Sequence, residues 1–359
     1  MRRLREKTGQ MILTGLPRPE LASDERALLR EYPLGGFLLY QHNCCDALQM
    51  TSLCRALWET ALDQPPFIAI DHEGGRVHRL PEPFTRFPPA AILGKAADPE
   101  LAYQAGHACA IELSLAGINV NFAPVLDVHS NPENPVIGDR AFGASAQSVI
   151  RIAGAWTRGL RAGGIIPCGK HFPGHGDTDR DSHETLPVVD RPAEALRERE
   201  VAPFAQACRD GIESLMTAHV LFRRLDATFP ATLSTEILTR ILRQELGYDG
   251  VVFSDDMEMK AVAANYARDE AAVLAVAAGI DVLIYGHHPA AAAAAFDTLL
   301  SEAEKSPSLR ARIEASYRRI GRLKATRLKR FTAHPGRDLA GYLTRLGHKR
   351  LVAAIYGSL

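Results

Sequence analysis

GIIPCGKH, residues 164–171, is a short apolar run that ends in a lysine-histidine pair. Its length and composition suit a buried strand. In front of it, AQSVIRIAGAWTRGLRAGG (146–164) has helical periodicity, and behind it so does AEALREREVAPFAQACRDG (193–211). The same alternation continues outward. Seven more apolar runs recur: GQMILTG (9–15), GGFLLY (35–40), PFIAID (66–71), INVNFAPV (118–125), ESLMTAHV (213–220), GVVFSDD (250–256) and DVLIYG (281–286). Helical segments such as LAYQAGHACAIELSLAG (101–117) and EMKAVAANYARDEAAVLAVAAG (258–279) separate most of them. Eight rounds of strand and helix predict an α/β chain folded as a single-domain (β/α)8 barrel of the TIM type. The phosphate loop GxxxxGK[ST] and the dinucleotide fingerprint GxGxxG are both absent, which weakens a nucleotide-binding reading.

The 359 residues suit one such barrel spanning 1–359, with a core at about 8–305 and a helical extension at about 306–359. Apolar residues make up 46% and charged residues 23%, so a large core can be buried. Lys+Arg and Asp+Glu both number 42, and that balance gives no field to draw the chain to nucleic acid or an anionic membrane. A small molecule is the expected partner, and a monomer the expected state. The first residues are basic, but their apolar run is too short for a secretion signal, and nothing approaches the roughly 20 apolar residues of a spanning helix. Six cysteines (44, 45, 54, 109, 168 and 208) without a CxxC pair suit reduced thiols in the cytoplasm. LRARIEASYRRIGRLKATRLKR (309–330) is strongly basic; it is read as a solvated outer helix with Leu and Ile toward the barrel. The remaining tail is expected to form one more helix.

In such a barrel the residues just after each strand converge on one face. That rule selects DHEGGRVHRL (71–80), Asp127, NPVIGDRAFG (134–143) with Arg140, KHFPGHGDTDRDSHETLP (170–187), His219 and the pair Asp255-Asp256. The two glycines after Asp71 allow a close backbone approach. Metal readings of 170–187 fail on spacing. His171 and His175 are spaced for zinc on a helix, but Pro173, Gly174 and Gly176 argue against a helix there. Asp177, Asp179 and Asp181 begin like a calcium loop, yet its sixth place is Ser182 and its twelfth Val188. HETLP (183–187) opens like HExxH and closes with proline. No metal and no cofactor are therefore expected. What survives is Asp181 and His183: a carboxylate two residues from an imidazole can fix its tautomer and leave the other nitrogen to move a proton. Asp256 suits a cap on the next helix. Asp255 is left as a carboxylate nucleophile facing that acid, the arrangement for cleaving a glycosidic bond with retention.

DHEGGRVHRL, IGDRAFG, KHFPGHGDTDRDSH, MTAHV and FSDDMEM, in this order, resemble glycoside hydrolase family 3, specifically its single-domain bacterial β-N-acetylglucosaminidases of peptidoglycan recycling. The similarity runs from about residue 8 to residue 290. It implies that Asp255 is the nucleophile, His183 the acid/base and Asp181 its tuning partner. It further implies that Asp71, Arg79, Arg140, Lys170 and His171 hold the sugar. Two departures stand beside the site: the family usually has glutamine where this chain has His72, and an arginine near His42.

The implied enzyme is an exo-acting β-N-acetylhexosaminidase, EC 3.2.1.52. It would release N-acetylglucosamine from β-1,4-linked 1,6-anhydro-N-acetylmuramic acid, with or without peptide, in the cytoplasm, and so serve cell-wall biogenesis, cell shape and division. An imidazole acid paired with a carboxylate predicts a broad optimum from mildly acidic to neutral pH. Competing readings are a Schiff-base enzyme using Lys170, a non-catalytic muropeptide sensor, and a phosphorylase or another β-glycosidase on the same site.

Overall fold

The computed structural model describes residues 2–60, 64–328, 330–331 and 338–359. All eight predicted strands are present: Ile12–Gly15 (β1), Gly36–Leu39 (β2), Phe67–Ile70 (β3), Val120–Asn121 (β4), Ile166–Phe172 (β5), Ser214–Thr217 (β6), Val251–Asp256 (β7) and Val282–Tyr285 (β8). Each pairs in parallel with its two sequence neighbours, and β1 closes on β8. Every residue of the four-residue strands β1, β2, β3, β6 and β8 is buried, as expected for strands covered on one side by helices and on the other by the barrel's own filling. Part of that filling is aromatic: Phe253 stands edge-on to Phe67 and to Phe122, with ring centroids 5.7 and 5.3 Å apart.

The helices follow their local signals. Pro99–Ala116 starts behind Asp98, whose side chain accepts from the backbone N–H groups of Glu100 and Leu101, and it stops at Gly117. Ala146–Ala162 starts behind Ser145, whose hydroxyl accepts from the N–H of Ser148. The basic segment is helical over Pro307–Arg327 and buries Leu309, Ile313, Ile320 and Leu323. Several of its arginines are engaged by acidic groups of other elements: Arg319 and Arg322 by Asp249, and Arg327 by Glu213. That apolar stripe is the outer-helix face expected from the sequence.

Two expectations need correction. Residues 258–279 do not form one helix but two, Lys260–Ala263 and Arg268–Ala278. The Asn265 side chain turns back to donate to the carbonyl of Ala261, 3.1 Å away, and the chain is turned before the second helix begins. The tail is likewise two helices, Leu339–Leu346 and His348–Gly357, because Gly347 between them adopts φ +72°. No helix among the described residues is long and apolar enough to cross a membrane.

Two of the barrel's strand pairings lose regular register, and both do so where candidate residues stand. Between β5 and β6 the shift falls between Gly169 and Phe172, around Lys170 and His171. Between β7 and β8 it falls opposite Ser254 and Asp255. A bulge re-aims side chains that strict alternation would send elsewhere, and here it turns them toward one end of the barrel.

Candidate active site

At the C-terminal ends of the strands lies a cavity of about 340 Å³, within the size range of small-molecule sites. Asp71, Arg79, Arg140, Lys170, His171, His183 and Asp255 all line it, so the structure brings together seven of the eight predicted residues. The eighth, Asp181, reaches the cavity through His183: its Oδ1 accepts from the His183 backbone N–H and lies 2.7 Å from Nδ1 of the ring.

One wall is a network of four charges, mostly buried, with Asp71 half-buried. Lys170 Nζ lies 2.5 Å from Asp71 and 2.6 Å from Glu73. Glu73 also accepts two parallel bonds, each 2.8 Å, from the Arg140 guanidinium. Burial alone would push Glu73 upward, but Arg140 and Lys170 hold its carboxyl well below the usual range. Burial likewise disfavours the charged form of Lys170, and Asp71 with Glu73 outweighs it, raising the ammonium above its ordinary value. This argues against the Schiff-base reading, since an imine-forming lysine must be a free amine. The cations are neutralised by these carboxylates, and a sugar's hydroxyls can take the remaining donor and acceptor positions along this wall.

Glu73 was not singled out from the sequence, although its spacing two residues beyond Asp71 in DHE was a readable signal. It is the residue that joins Lys170 to Arg140. The turn after it needs its glycines: Gly74 and Gly75 have φ of +93° and +56°, and a Cβ on Gly74 would stand 2.4 Å from the Pro88 carbonyl. His72, buried behind this turn, accepts the Arg79 backbone N–H on Nδ1 at 3.2 Å. His42 is not among the residues lining the cavity, and its Nε2 lies 2.8 Å from the Leu16 carbonyl.

Asp127 positions His171, which lines the cavity beside Lys170. Fully buried, it accepts from the backbone N–H groups of both His171 and His175 and lies 2.7 Å from Nδ1 of His171. Burial opposes its ionisation, but His171 beside it lowers it, so it is a carboxylate that can only accept. Nδ1 of His171 therefore carries the proton, and Nε2 is the nitrogen left for the cavity. His171 and His175 lie at a strand end and in the turn beyond it, not on a helix, and both ring nitrogens of His175 already have partners.

His175 is the tie of the loop between β5 and the next helix. Its two ring nitrogens meet Thr178 Oγ1 at 2.9 Å and Ser182 Oγ at 3.0 Å, which pulls the start of the loop onto its far side. Gly176 allows the loop to lie against the backbone after β4, where a Cβ would be 1.6 Å from the Val128 carbonyl. Asp177 is gripped by Arg191 and Arg199, while Asp179 is exposed at the tip. The far end of the loop is held by the Ser182 carbonyl, which accepts from the backbone N–H of Ala261. His183 follows directly, its side chain 64% exposed, the least enclosed of the candidate groups.

Burial and the neighbouring His171 push His175 down to about 4, whereas an imidazole in an unfolded chain titrates near 6.5. Between these two values the unfolded chain binds a proton that the folded loop refuses, so stability rises with pH there. The stabilisation is full above about 6.5 and is lost as the pH falls toward 4, by on the order of 3 kcal/mol. Urea unfolding at pH 7 and pH 4.5 should show this difference in the parent chain and a smaller one in His175→Asn. Equal pH dependence in the two would contradict it.

Asp255 is the penultimate residue of β7, its Oδ1 accepting the Asp256 N–H at 2.8 Å. Burial would raise its carboxyl, yet His171 and His219 lower it below the ordinary value. It is thus ionised across the neutral range. Asp256 does not cap the following helix, whose flanking residue is Met259. Its side chain accepts from the N–H groups of Glu258 and Gly286 and from the Tyr40 hydroxyl, closing a turn between β7 and β8. Burial pushes it up to about 6. His219 lies beneath this turn, fully buried, bonded to the Thr232 hydroxyl and the Asp256 carbonyl. It therefore supports the strand end from below and is not among the residues lining the cavity. Tyr40 and His287, stacked 5.0 Å apart, complete the rim. Both immediately follow or lie just beyond a strand, so the convergence rule would have found them had it been applied to the second and eighth strands.

Comparisons with known proteins place the chain in a family. Residues 3–323 match the glycosyl hydrolase family 3 N terminal domain. A beta-hexosaminidase of Methylococcus capsulatus is 42% identical over 286 residues, covering 78% of this chain and 84% of that protein. The structure superposes on a glycoside hydrolase family 3 beta-N-acetylglucosaminidase from Paenibacillus sp. with TM-score 0.88 and 39% identity, covering 96% of this chain and 68% of the other. It superposes on NagZ from Neisseria gonorrhoeae, solved with N-trifluoroacetyl-D-glucosamine, with TM-score 0.77 and 31% identity over 97% of both chains. The chain belongs to glycosyl hydrolase family 3, as a glycoside hydrolase of the β-hexosaminidase group.

Proposed function

We propose that this chain is a retaining exo-β-N-acetylglucosaminidase. One observation carries the reading: the ionised Asp255 and the Asp181-supported imidazole of His183 open on one cavity whose wall is the Asp71, Lys170, Glu73 and Arg140 network. The Asp255 carboxylate attacks the anomeric carbon while His183 gives its proton to the glycosidic oxygen, so the leaving sugar departs neutral and a glycosyl ester remains on Asp255. The now neutral imidazole takes a proton from water, the hydroxyl attacks the same carbon, and the ester bond breaks with overall retention. Asp71, Arg79, Arg140, Lys170 and His171 hold the sugar during both steps.

The proposed substrate is N-acetylglucosamine β-1,4-linked to 1,6-anhydro-N-acetylmuramic acid, with or without its peptide, in cytoplasmic peptidoglycan recycling. The working unit is one domain over 1–359 acting as a monomer on this small molecule, without cofactor, nucleic acid or membrane. The supporting similarity is to the beta-N-acetylglucosaminidase of Paenibacillus and to NagZ of Neisseria. The test is incubation with purified anhydromuropeptide, with and without phosphate, and identification of products by mass. Free N-acetylglucosamine at equal rates in both is the expected result. A sugar 1-phosphate would make the reaction phosphorolysis, and no cleavage would end the reading.

A further inference from the structure

The two arginines that line the catalytic cavity are held in different ways. Arg140 is fixed through its side chain, by the two parallel bonds to Glu73. The Nε of Arg79 is buried without a hydrogen-bond partner among the described residues. The place of the Arg79 guanidinium therefore depends on its main chain, whose N–H donates to Nδ1 of His72 at 3.2 Å.

His72 is itself a fixed point. Its N–H donates to Oδ1 of Asn121 at 3.0 Å, and its carbonyl accepts from Nδ2 of the same residue at 2.9 Å. Asn121 is a fully buried residue of β4. Between His72 and Arg79 the chain turns back on itself, closed by bonds between Gly74 and Val77. The imidazole thus ties the returning limb, which carries Arg79, to a strand of the barrel. That tie needs a neutral ring, because Nδ1 accepts. His72 is 1% exposed, and burial, with His78 and Arg79 beside it, holds it well below the ordinary imidazole value against the pull of Glu73.

The ring proton is then on Nε2, which is buried and has no partner; the neighbouring ring of His78, its centroid 4.6 Å away, has a partnerless Nδ1 as well. A buried donor left unpaired is costly. For filling this space alone an apolar side chain would serve better. What the imidazole offers beyond a hydrocarbon is the acceptor for Arg79.

We propose that His72 is the positioning residue of Arg79: by accepting the Arg79 N–H it sets the guanidinium at the sugar, although it does not itself line the cavity. The proposal rests on the glycosidase reading above and adds to it a residue outside the cavity.

Two substitutions separate positioning from packing. His72→Asn keeps an acceptor close to the place of Nδ1 and leaves a void where the ring was. His72→Leu fills the space and removes both the acceptor and the unpaired donor. His72→Leu should raise KM for an aryl N-acetylglucosaminide by about tenfold with little change in kcat, and His72→Asn should stay within about threefold of the parent. Thermal unfolding should rank the two variants the other way, with His72→Asn the less stable. A merely structural residue would give one order in both measurements. In an Arg79→Ala background His72→Leu should raise KM no further, because the contact it serves is already gone.

Titration of N-acetylglucosamine alone into the same chains reads the effect without turnover. Binding weakened in His72→Leu and kept in His72→Asn supports the positioning role even if no glycoside is cleaved, and in that case it is the glycosidase reading that falls. Cleavage by the parent with equal losses in the two variants, with no loss in His72→Leu, or with a loss that persists in the Arg79→Ala background overturns the role and leaves the glycosidase reading standing. A parent chain that neither binds the sugar nor cleaves the glycoside removes both.

Discussion

Replacing Asp255 with alanine should lower the release of an aryl leaving group from an N-acetylglucosaminide by at least roughly 10⁴-fold. The expectation follows from where the carboxylate stands. It sits at a register break between β7 and β8, its orientation fixed by the Asp256 N–H, and its carboxyl is lowered by His171 and His219 against the pull of burial. A group so held is a pre-positioned anion, and no other carboxylate lining the cavity can replace it. Asp71 and Glu73 are committed to Lys170 and Arg140, and Asp256 is bonded to two backbone N–H groups and a tyrosine. Asp255→Asn keeps the shape and an oxygen for the Asp256 N–H, so it separates loss of the nucleophile from loss of structure. Both variants should keep the parent's Tm or exceed it, since a carboxylate fixed in a site for chemistry is often not placed for stability. The measurement is kcat/KM together with thermal unfolding. Residual activity above about one hundredth of the parent's, in a chain free of contaminating enzyme, would remove Asp255 from the nucleophile's role.

How much of this was legible in the sequence can be judged residue by residue. The barrel was, because each strand is a short apolar run and each long helix announces its ends: Asp98 and Ser145 as caps, Gly117 as a stop. The break at Gly347 is also signalled by its glycine, which the expectation of a single tail helix does not use. The break after Ala263 was not signalled in the same way. NYA interrupts an alanine-rich periodic segment, and only the back-bond from Asn265 shows that the helix ends there. The site divides along similar lines. Asp71, Lys170, His183 and Asp255 stand directly after apolar runs or in a loop free of helical pattern, so position alone exposed them. Glu73 acts through pairing with Arg140, 67 residues away in sequence. Asp127 acts through two backbone N–H groups that reach it only after β5 has been laid beside β4. Such partners depend on register, and the irregular registers at Lys170–His171 and Ser254–Asp255 cannot be deduced from composition or periodicity. His175 is a related case. Its sequence neighbours suggested loop shaping, whereas its role as the tie between Thr178 and Ser182 depends on the loop folding back on itself.

The second large effect concerns the proton. His183→Ala should reduce kcat/KM by roughly 10²- to 10⁴-fold on a disaccharide, whose leaving oxygen needs protonation, and by much less on an aryl glycoside whose leaving group departs as a stable anion. The difference follows from the geometry of the pair. Asp181 accepts from both the backbone N–H and Nδ1 of His183, so it fixes the ring's tautomer and direction and leaves Nε2 to face the cavity. Burial works against ionisation of Asp181, but the bonds from His183 outweigh it and lower the carboxyl. The partner is therefore a carboxylate at neutral pH, and it cannot be the source of an acid limb there. On the disaccharide the parent's rate should fall at alkaline pH as the imidazole loses the proton it must deliver, and on the activated aryl glycoside the fall should be shallower. Asp181→Asn should retain the fold and weaken the disaccharide reaction more than the aryl one, because an amide no longer fixes the ring as the carboxylate does. Since the His183 side chain is largely exposed, its truncation should leave Tm within a degree or two of the parent's, on the scale usual for surface substitutions. Equal losses on both substrates, or an alkaline profile that stays flat on the disaccharide, would show that the proton comes from elsewhere. The Ser182–Ala261 bond would then be holding a binding loop with no part in proton transfer.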